Sequence, residues 1–217
     1  MSLKVGVLAS GAGTNLQAIL DRVHARDGVE VVAVGSDKPA AQALTRAEAA
    51  GVVTHAFPVE RRVDPTRGGP SPDAYPDRVA RDAAMAEWLA ERGVELVVLA
   101  GYMQLLSAVF LDRFPQRVIN VHPALLPAFP GIGSVEQAIA YGVKLFGVTV
   151  HFVDEGIDSG AIILQRALDL PDATEAQAVR TALRPIEHDL LCEAVRLIAR
   201  DAVRIDPDNP RRVLIAS

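Results

Sequence analysis

Short apolar segments alternate with amphipathic ones along the chain, and this alternation limits the possible folds more than any other feature of the sequence. Four segments rich in Val, Leu and Ile end at or near Gly, Ser or Pro: 5–9, 29–34, 96–100 and 118–121. Such segments are typical of strands buried on both faces. The stretches with a helical period are 15–23, 40–50, 76–92 and 134–141. The alternation predicts an α/β fold, an open, mostly parallel twisted sheet with helices on both faces.

The remainder of the chain continues this pattern within one domain. Segments at 148–153 and 161–165 predict two further strands around a Gly-containing turn, and a long helix is expected at 174–200. The segment 61–76 is crowded with Pro, Gly and charged residues, which predicts a surface loop. Because there is no internal repeat or interdomain linker, residues 1–217 are expected to form a single domain.

The charge and the apolar segments exclude several classes of partner. The chain has 22 basic and 27 acidic residues, a formal net charge of −5, without the basic stripe typical of nucleic-acid binding. No apolar segment approaches the roughly 20 residues of a membrane helix, and the first residues do not form a targeting signal. Cys192, the single cysteine, has no disulfide partner and no zinc-type spacing to His. We therefore expect a cytoplasmic protein with no nucleic-acid or membrane partner.

A glycine-containing loop follows the first predicted strand. Residues 10–16 have the sequence SGAGTNL and lead directly into a helix. Glycines let backbone N–H groups approach a phosphate, and the positive end of the helix dipole favours an anion there. Leu16 occupies the position of the third Gly of a dinucleotide fingerprint and no P-loop Lys follows, so a monophosphate is favoured over NAD or ATP. A tight turn in which Thr14 or Asn15 only caps the helix is the alternative.

Two polar residues end a predicted central strand. Asn120 and His122 flank Val121, so their side chains lie on one face, and Pro123 stops the strand. Ligands of open α/β sheets bind at the carboxyl ends of the strands. An amide beside an imidazole suits acyl transfer, because either group can hold the developing oxyanion and the imidazole can also move protons. A hydrogen-bonded structural His is the alternative, which the neighbouring Asn disfavours.

An acidic segment lies in the turn between the last two predicted strands. It contains Asp154, Glu155 and Asp158. Acidic residues in such a turn are usually solvated. Asp158, between Ile157 and Ser159, is the best placed of the three to reach across the cleft and orient an imidazole.

With these segments identified, the sequence resembles the folate-dependent formyltransferases that act on glycinamide ribonucleotide, over nearly its whole length. The resemblance is carried by SGAGTNLQ at 10–17, LAGYM at 99–103, NVHPALLP at 120–127, and TVHFVD at 149–154 leading to Asp158. It implies the Rossmann-like fold of these enzymes.

The resemblance also implies a reaction and its substrates. The co-substrate 10-formyltetrahydrofolate would donate its formyl group to the amine of 5′-phosphoribosylglycinamide in purine synthesis, and no metal is implied. Residues 1–100 would form the half that binds the ribonucleotide phosphate, and residues 101–200 the folate-binding and catalytic half. The oligomeric state is not predicted.

Individual residues follow from the resemblance position by position. The catalytic residues would be Asn120, His122 and Asp158, with His122 as the proton donor. The ribonucleotide would be bound by Gly13, Thr14, Asn15, Leu16, Gln17 and Glu187. The folate pocket would be lined by Met103, Gln104, Leu105, Leu106, Asn120, Asp154, Glu155, Gly156, Ile157 and Asp158.

The chain departs from the family pattern where folate side-chain contacts are expected. Family members often carry His shortly after the Pro-Gly at 130–131, where this chain continues with Ile132, Gly133, Ser134 and Val135. Gln104 and Pro72 stand where Arg is common. Details of folate binding are therefore expected to differ, while the three catalytic positions are unchanged.

The other histidines are not expected to take part in catalysis. His24 and His55 are assigned no role, and His188 is expected at a partly exposed helix position. His151 matches the family, and a structural hydrogen bond near the cleft is the favoured interpretation.

Three other functions fit parts of this pattern. Methionyl-tRNA formyltransferase shares the Asn-x-His core but is expected to need a C-terminal tRNA-binding domain and a basic surface. Formyltetrahydrofolate hydrolase usually carries an N-terminal regulatory domain, whereas this chain begins directly with a strand. A non-catalytic phosphate-binding module would have no need of Asn120, His122 and Asp158 together.

Overall fold

A computed structural model describes residues 2–59 and 75–216. The strands in this part of the chain are β1 Leu3–Leu8, β2 Val29–Ser36, β3 Val53–Ala56, β4 Leu96–Leu99, β5 Val118–His122, β6 Leu145–Phe152, β7 Ile162–Asp169, β8 Val203–Asp206 and β9 Asn209–Ile215. The helices are α1 Thr14–Arg22, α2 Gln42–Ala49, α3 Arg78–Glu91, α4 Ala108–Arg113, α5 Ser134–Tyr141 and α6 Ala176–Ala199. The loop predicted at 61–76, with Pro72, lies almost entirely outside the described residues.

The strands form one sheet in the order β3-β2-β1-β4-β5-β6-β7-β9-β8. β1 to β5 are parallel to one another, and β6 and β7 continue the sheet in antiparallel pairing. The predicted mostly parallel α/β sheet is confirmed. Because the chain moves outward from β1 to β3 and then returns beside β1 as β4, the segments that follow β1 and β4 diverge. This arrangement leaves a crevice at the carboxyl edge of the sheet.

Helices cover both faces of the sheet, as predicted. On one face α1, α2, α5 and α6 bury an apolar cluster that includes Ile19, Leu183 and Leu191. On the other face α3 and α4 bury a second cluster around Met85 and Phe110. Removal of this apolar surface from water is the main force that holds the helices on the sheet.

Four elements were not predicted from the sequence: β3, α4, β8 and β9. The strand β9 pairs with β7 through Ile162 and Arg212 and forms an antiparallel hairpin with β8. Most residues of β9 are exposed, so the strand lacks the apolar alternation by which strands are recognised. The strand β3 and the helix α4 span only 4 and 6 residues, which is too short for a clear periodic pattern.

A buried ion pair joins α3 to the start of α4. The guanidinium of Arg81 donates to Oδ1 of Asp82 from Nε at 2.9 Å and from Nη2 at 2.6 Å. The backbone N–H of Ser107 donates to Oδ2 of Asp82 at 2.7 Å. Both charged side chains are almost completely buried. Each therefore depends on the other for compensation of its charge.

We predict that Asp82→Ala destabilises the protein by about 3–5 kcal/mol, because it leaves the charge of Arg81 buried without its partner. The control is Asp189→Ala, which removes an exposed pair with Arg22 at 2.6 Å and should cost about 0–1 kcal/mol. Urea denaturation gives both free energies of unfolding. Equal losses in the two variants would contradict the prediction.

Candidate active site

A cleft of about 490 Å³ opens at the carboxyl edge of the sheet. Its lining includes Asn120, His122 and all the residues predicted to contact folate: Met103, Gln104, Leu105, Leu106, Asp154, Glu155, Gly156, Ile157 and Asp158. Residues that are widely separated in sequence thus surround one cavity.

The pairing of β5 with β6 determines which polar side chains meet in the cleft. Asn120 is opposite His151, and His122 is opposite Thr149. Residues directly opposite each other in an antiparallel pair project from the same face. Asn120 Nδ2 accordingly lies 3.3 Å from His151 Nε2. His151, for which only a structural hydrogen bond was predicted, is therefore part of the polar cluster.

Asp158 lies at the centre of this cluster. Its Oδ2 accepts a hydrogen bond from the backbone N–H of Gly131 at 2.8 Å and lies 3.3 Å from His122 Nδ1. Its Oδ1 lies 3.4 Å from Asn120 Nδ2 and 3.6 Å from His151 Nε2. The structure thus brings Asn120, His122 and Asp158 together, with His151 as a fourth member. We call these four residues the polar cluster.

The hydrogen bonds of the two imidazoles restrict where their protons lie. His122 Nε2 is 2.9 Å from the carbonyl oxygen of Phe129, and His151 Nδ1 is 2.7 Å from that of Phe152. A carbonyl oxygen only accepts, so each of these nitrogens carries a proton. The other nitrogen of each ring faces Asp158.

The surroundings of Asp158 favour its ionised form. Burial by itself raises the pKa of this carboxyl. The polar contact with His151, the N–H of Gly131 and the charges of His122 and His151 outweigh burial and lower the pKa to about 2. Asp158 is therefore a carboxylate throughout the physiological pH range.

The loop that follows β5 is attached to β6 and β7 by a hydrogen-bond network. Oγ1 of Thr149 accepts from the N–H of Leu126 at 3.1 Å and from Nε2 of Gln165 at 2.9 Å. The same Gln165 nitrogen donates to the carbonyl of Leu126 at 2.8 Å. These bonds fix the loop that presents the Phe129 carbonyl to His122.

The glycine loop and α1 form a separate polar surface beside the cleft. Gly13 has φ 72°, in the left-handed region that favours glycine, and α1 has no side-chain cap. The first N–H groups of α1 are therefore available to an anion, in line with the predicted phosphate site. The Leu16 side chain is fully buried in the core. Its predicted contact with the ribonucleotide is accordingly restricted to its backbone N–H.

Two further residues predicted to bind the ribonucleotide meet next to this loop. Asn15 Nδ2 donates to Glu187 Oε2 at 3.2 Å. Burial raises the pKa of Glu187, and the bond from Asn15 and the charge of Arg184 oppose that rise only in part. The loop residues do not line the 490 Å³ cleft, but the N–H of Met103 donates to Ser10 Oγ at 2.9 Å. The glycine loop and the 103–106 segment of the cleft wall are thus joined directly.

The remaining histidines lie away from the cleft. His24 Nδ1 accepts from the N–H of Val31 at 3.1 Å, and the His55 ring contacts Phe57 with centroids 4.5 Å apart. His188 is half-buried on α6, and burial lowers its pKa. Ile132, after the Pro-Gly, is 91% exposed at the cleft.

Comparison with known proteins places the chain in a family. The model of the formyl transferase family matches residues 3–195. The chain is 38% identical over 186 residues to phosphoribosylglycinamide formyltransferase of Bacillus subtilis, covering 85% of this chain and 89% of that protein. It is 40% identical over 199 residues to the Mycobacterium tuberculosis protein of the same name, covering 92% and 86%.

A solved structure gives the same result. Glycinamide ribonucleotide transformylase 1 from Symbiobacterium toebii superposes with a TM-score of 0.86 at 43% identity, over 100% of this chain and 95% of that one. The chain belongs to the formyl transferase family. The resemblance inferred from the sequence motifs is thereby confirmed.

Within residues 2–59 and 75–216, no three His, Cys, Asp or Glu side chains are arranged to hold a metal ion. The same residues contain no helix that is both long and apolar enough to span a membrane.

The low pKa of Asp158 defines a pH window for its contribution to stability. A carboxyl whose pKa falls on folding contributes fully above its unfolded pKa of about 4, and the contribution disappears as the pH falls towards the folded value. We predict that the free energy of unfolding of the wild type exceeds that of Asp158→Asn at pH 6 and 5, and that this difference decreases at pH 3. Urea denaturation at each pH measures it, and a constant gap would contradict the prediction.

Proposed function

We propose that this protein transfers the formyl group of 10-formyltetrahydrofolate to the amine of 5′-phosphoribosylglycinamide, giving formylglycinamide ribonucleotide and tetrahydrofolate in purine synthesis. The observation that carries the proposal is the polar cluster around Asp158, which opens into a cleft with mainly apolar walls. Membership of the formyl transferase family and the names of the relatives support the same reaction.

The two substrates would occupy adjacent sites. The phosphate would bind at the start of α1, at Gly13, Thr14, Asn15 and the N–H of Leu16, with Gln17 and Glu187 nearby. The folate would bind in the cleft between residues 103–106 and 154–158. The link from Ser10 to Met103 supports this arrangement, because it holds the two sites next to each other.

Formyl transfer forms a bond between the substrate amine and the formyl carbon and breaks the bond from that carbon to N10 of the folate. After the new bond forms and before the bond to N10 breaks, the formyl oxygen carries a negative charge as an oxyanion. Over the whole reaction the amine loses a proton and N10 gains one. A protonated His122 would stabilise the oxyanion and donate a proton once its Nδ1–H turns from Asp158 to the oxyanion. Asp158 favours the charged imidazole and helps to accept the amine's proton.

The role of Asn120 requires an exchange of hydrogen-bond partners. Its amide nitrogen faces His151 Nε2 at 3.3 Å and Asp158 Oδ1 at 3.4 Å, which are long contacts. To donate to the oxyanion, one N–H of Asn120 would leave such a contact. Because long hydrogen bonds are weak, this exchange would cost little free energy.

The proposal includes no metal and no nucleic-acid partner, and it keeps the cytoplasmic location predicted from the sequence. The charge of −5 and the scattered basic residues support a small-molecule acceptor over tRNA.

The acceptor is tested by measuring tetrahydrofolate release from 10-formyltetrahydrofolate with three acceptors. We expect rapid release with phosphoribosylglycinamide, and background release with methionyl-tRNA or with water alone. Release that is independent of added amine would instead support a hydrolase. Release only with methionyl-tRNA would support the tRNA formyltransferase.

The proposed roles of Asp158 and His122 predict that the effects of their substitution on kcat are not additive. Asp158→Asn should lower kcat by about 10²–10⁴-fold, the range for a positioned acid–base group, with KM values mostly unchanged. His122→Ala should lower kcat at least as much. Because the two residues act through one contact, the double variant should be scarcely worse than the worse single variant.

The matched control is Asp201→Asn. Asp201 is exposed and has φ 54°, close to the 51° of Asp158, so it tests the same substitution at a similar positive φ. Its kcat should equal that of wild type. Losses that multiply in the double variant, or near-normal turnover of Asp158→Asn, would rule out the coupled mechanism.

A further inference from the structure

The helix α2 contacts two successive carbonyl groups of the glycine loop. The N–H of Ala43, in the first turn of α2, donates to the carbonyl of Gly11 at 3.1 Å. Nε of Arg46 donates to the carbonyl of Ala12 at 2.8 Å. Ala43 and Arg46 are three residues apart and so lie on one face of α2.

The carbonyl directions determine where the loop N–H groups point. In a trans peptide, the carbonyl of one residue and the N–H of the next point in opposite directions. With the carbonyls of Gly11 and Ala12 directed at α2, the N–H groups of Ala12 and Gly13 point away from α2. They join the free N–H groups at the start of α1, and such a row of N–H groups forms an anion-binding concavity.

The guanidinium of Arg46 also binds α1. Its Nη1 donates to Oε1 of Gln17 at 2.9 Å, so the side chain connects the loop to the first turn of α1. The loop also packs closely against α2 at Gly13, because a Cβ there would lie 2.8 Å from Cα of Ala43. Arg46 and close packing therefore act together on the same peptide.

We infer that Arg46 is a positioning residue of the phosphate site, which turns the Gly13 N–H towards the anion by holding the Ala12 carbonyl on α2. The inference rests on the proposed function, because it takes the glycine loop as the site of the substrate phosphate. Arg46 acts through the loop, without contact to the substrate.

Steady-state kinetics of Arg46→Met test this inference. The KM for phosphoribosylglycinamide should rise about tenfold, equivalent to about 1.4 kcal/mol, while kcat and the KM for the folate change less than about twofold. The matched control is Arg26→Met, since Nη1 of Arg26 also donates to a backbone carbonyl, that of Asp21, at 2.8 Å. That bond lies at the opposite end of α1, so all three constants should stay at wild-type values. Equal effects of the two substitutions would overturn the inference.

Ionic strength separates the effect of loop geometry from that of charge alone. At 0.5 M NaCl the Debye length is only a few Å, so a charge that acts through solvent is screened. The ratio of the variant and wild-type KM values should persist at this salt concentration if Arg46 acts through the loop. A ratio that falls to about one would assign the effect to charge and overturn the inference.

Titration with inorganic phosphate gives a readout that does not need catalysis. In amide NMR spectra of the wild type, the Gly13 and Thr14 N–H signals should shift on addition of phosphate, and Arg46→Met should reduce the Gly13 shift selectively. Absence of any shift in the wild type would overturn the inference. Normal shifts without formyl transfer to phosphoribosylglycinamide would instead overturn the proposed function and leave the role of Arg46 in anion binding supported.

Discussion

The arrangement of the site depends on the contacts of the Asp158 carboxylate. This carboxylate contacts Asn120 and His122 from β5, His151 from β6 and the N–H of Gly131 from the loop after β5. A carboxylate in such a position is stable only because several donors compensate for its burial. The same contacts that lower its pKa also hold three segments of chain together. Electrostatics and geometry are thus inseparable at this site.

The fold places the glycine loop and the cleft on either side of one crevice. The segments after β1 and β4 diverge at the carboxyl edge, and one becomes the glycine loop while the other lines the cleft. The Ser10 to Met103 hydrogen bond spans the point of divergence. A two-substrate reaction needs its reactants close together and correctly oriented, which is where much of the catalytic advantage of binding arises. The topology would supply this proximity if the two substrates bind as proposed.

Four of the five parallel strands β1 to β5 were predictable from the sequence, and the polar cluster was predictable only in part. Buried strands such as 96–99 and the polar strand end at Asn120 and His122 have strong local patterns. The place of His151 depends on its pairing with Asn120, and strand pairing between distant segments is not encoded in local periodicity. The exposed hairpin of β8 and β9 lacked apolar alternation. The contact of Arg46 with the glycine loop is likewise a tertiary contact between a helix surface and a backbone carbonyl, for which no sequence pattern exists.

The register between β5 and β6 has a consequence for how this chain tolerates changes in length. Side chains alternate between the two faces of a strand, so deletion of one residue within β6 would move His151 and Thr149 to the opposite face. The polar cluster would lose one imidazole and the loop after β5 would lose its attachment. Insertions in the turn between β6 and β7 would displace Asp158, which lies in that turn, from its partners in the polar cluster. The segment from β5 to the turn after β6 can therefore vary by substitution, whereas a change in its length would separate the members of the polar cluster.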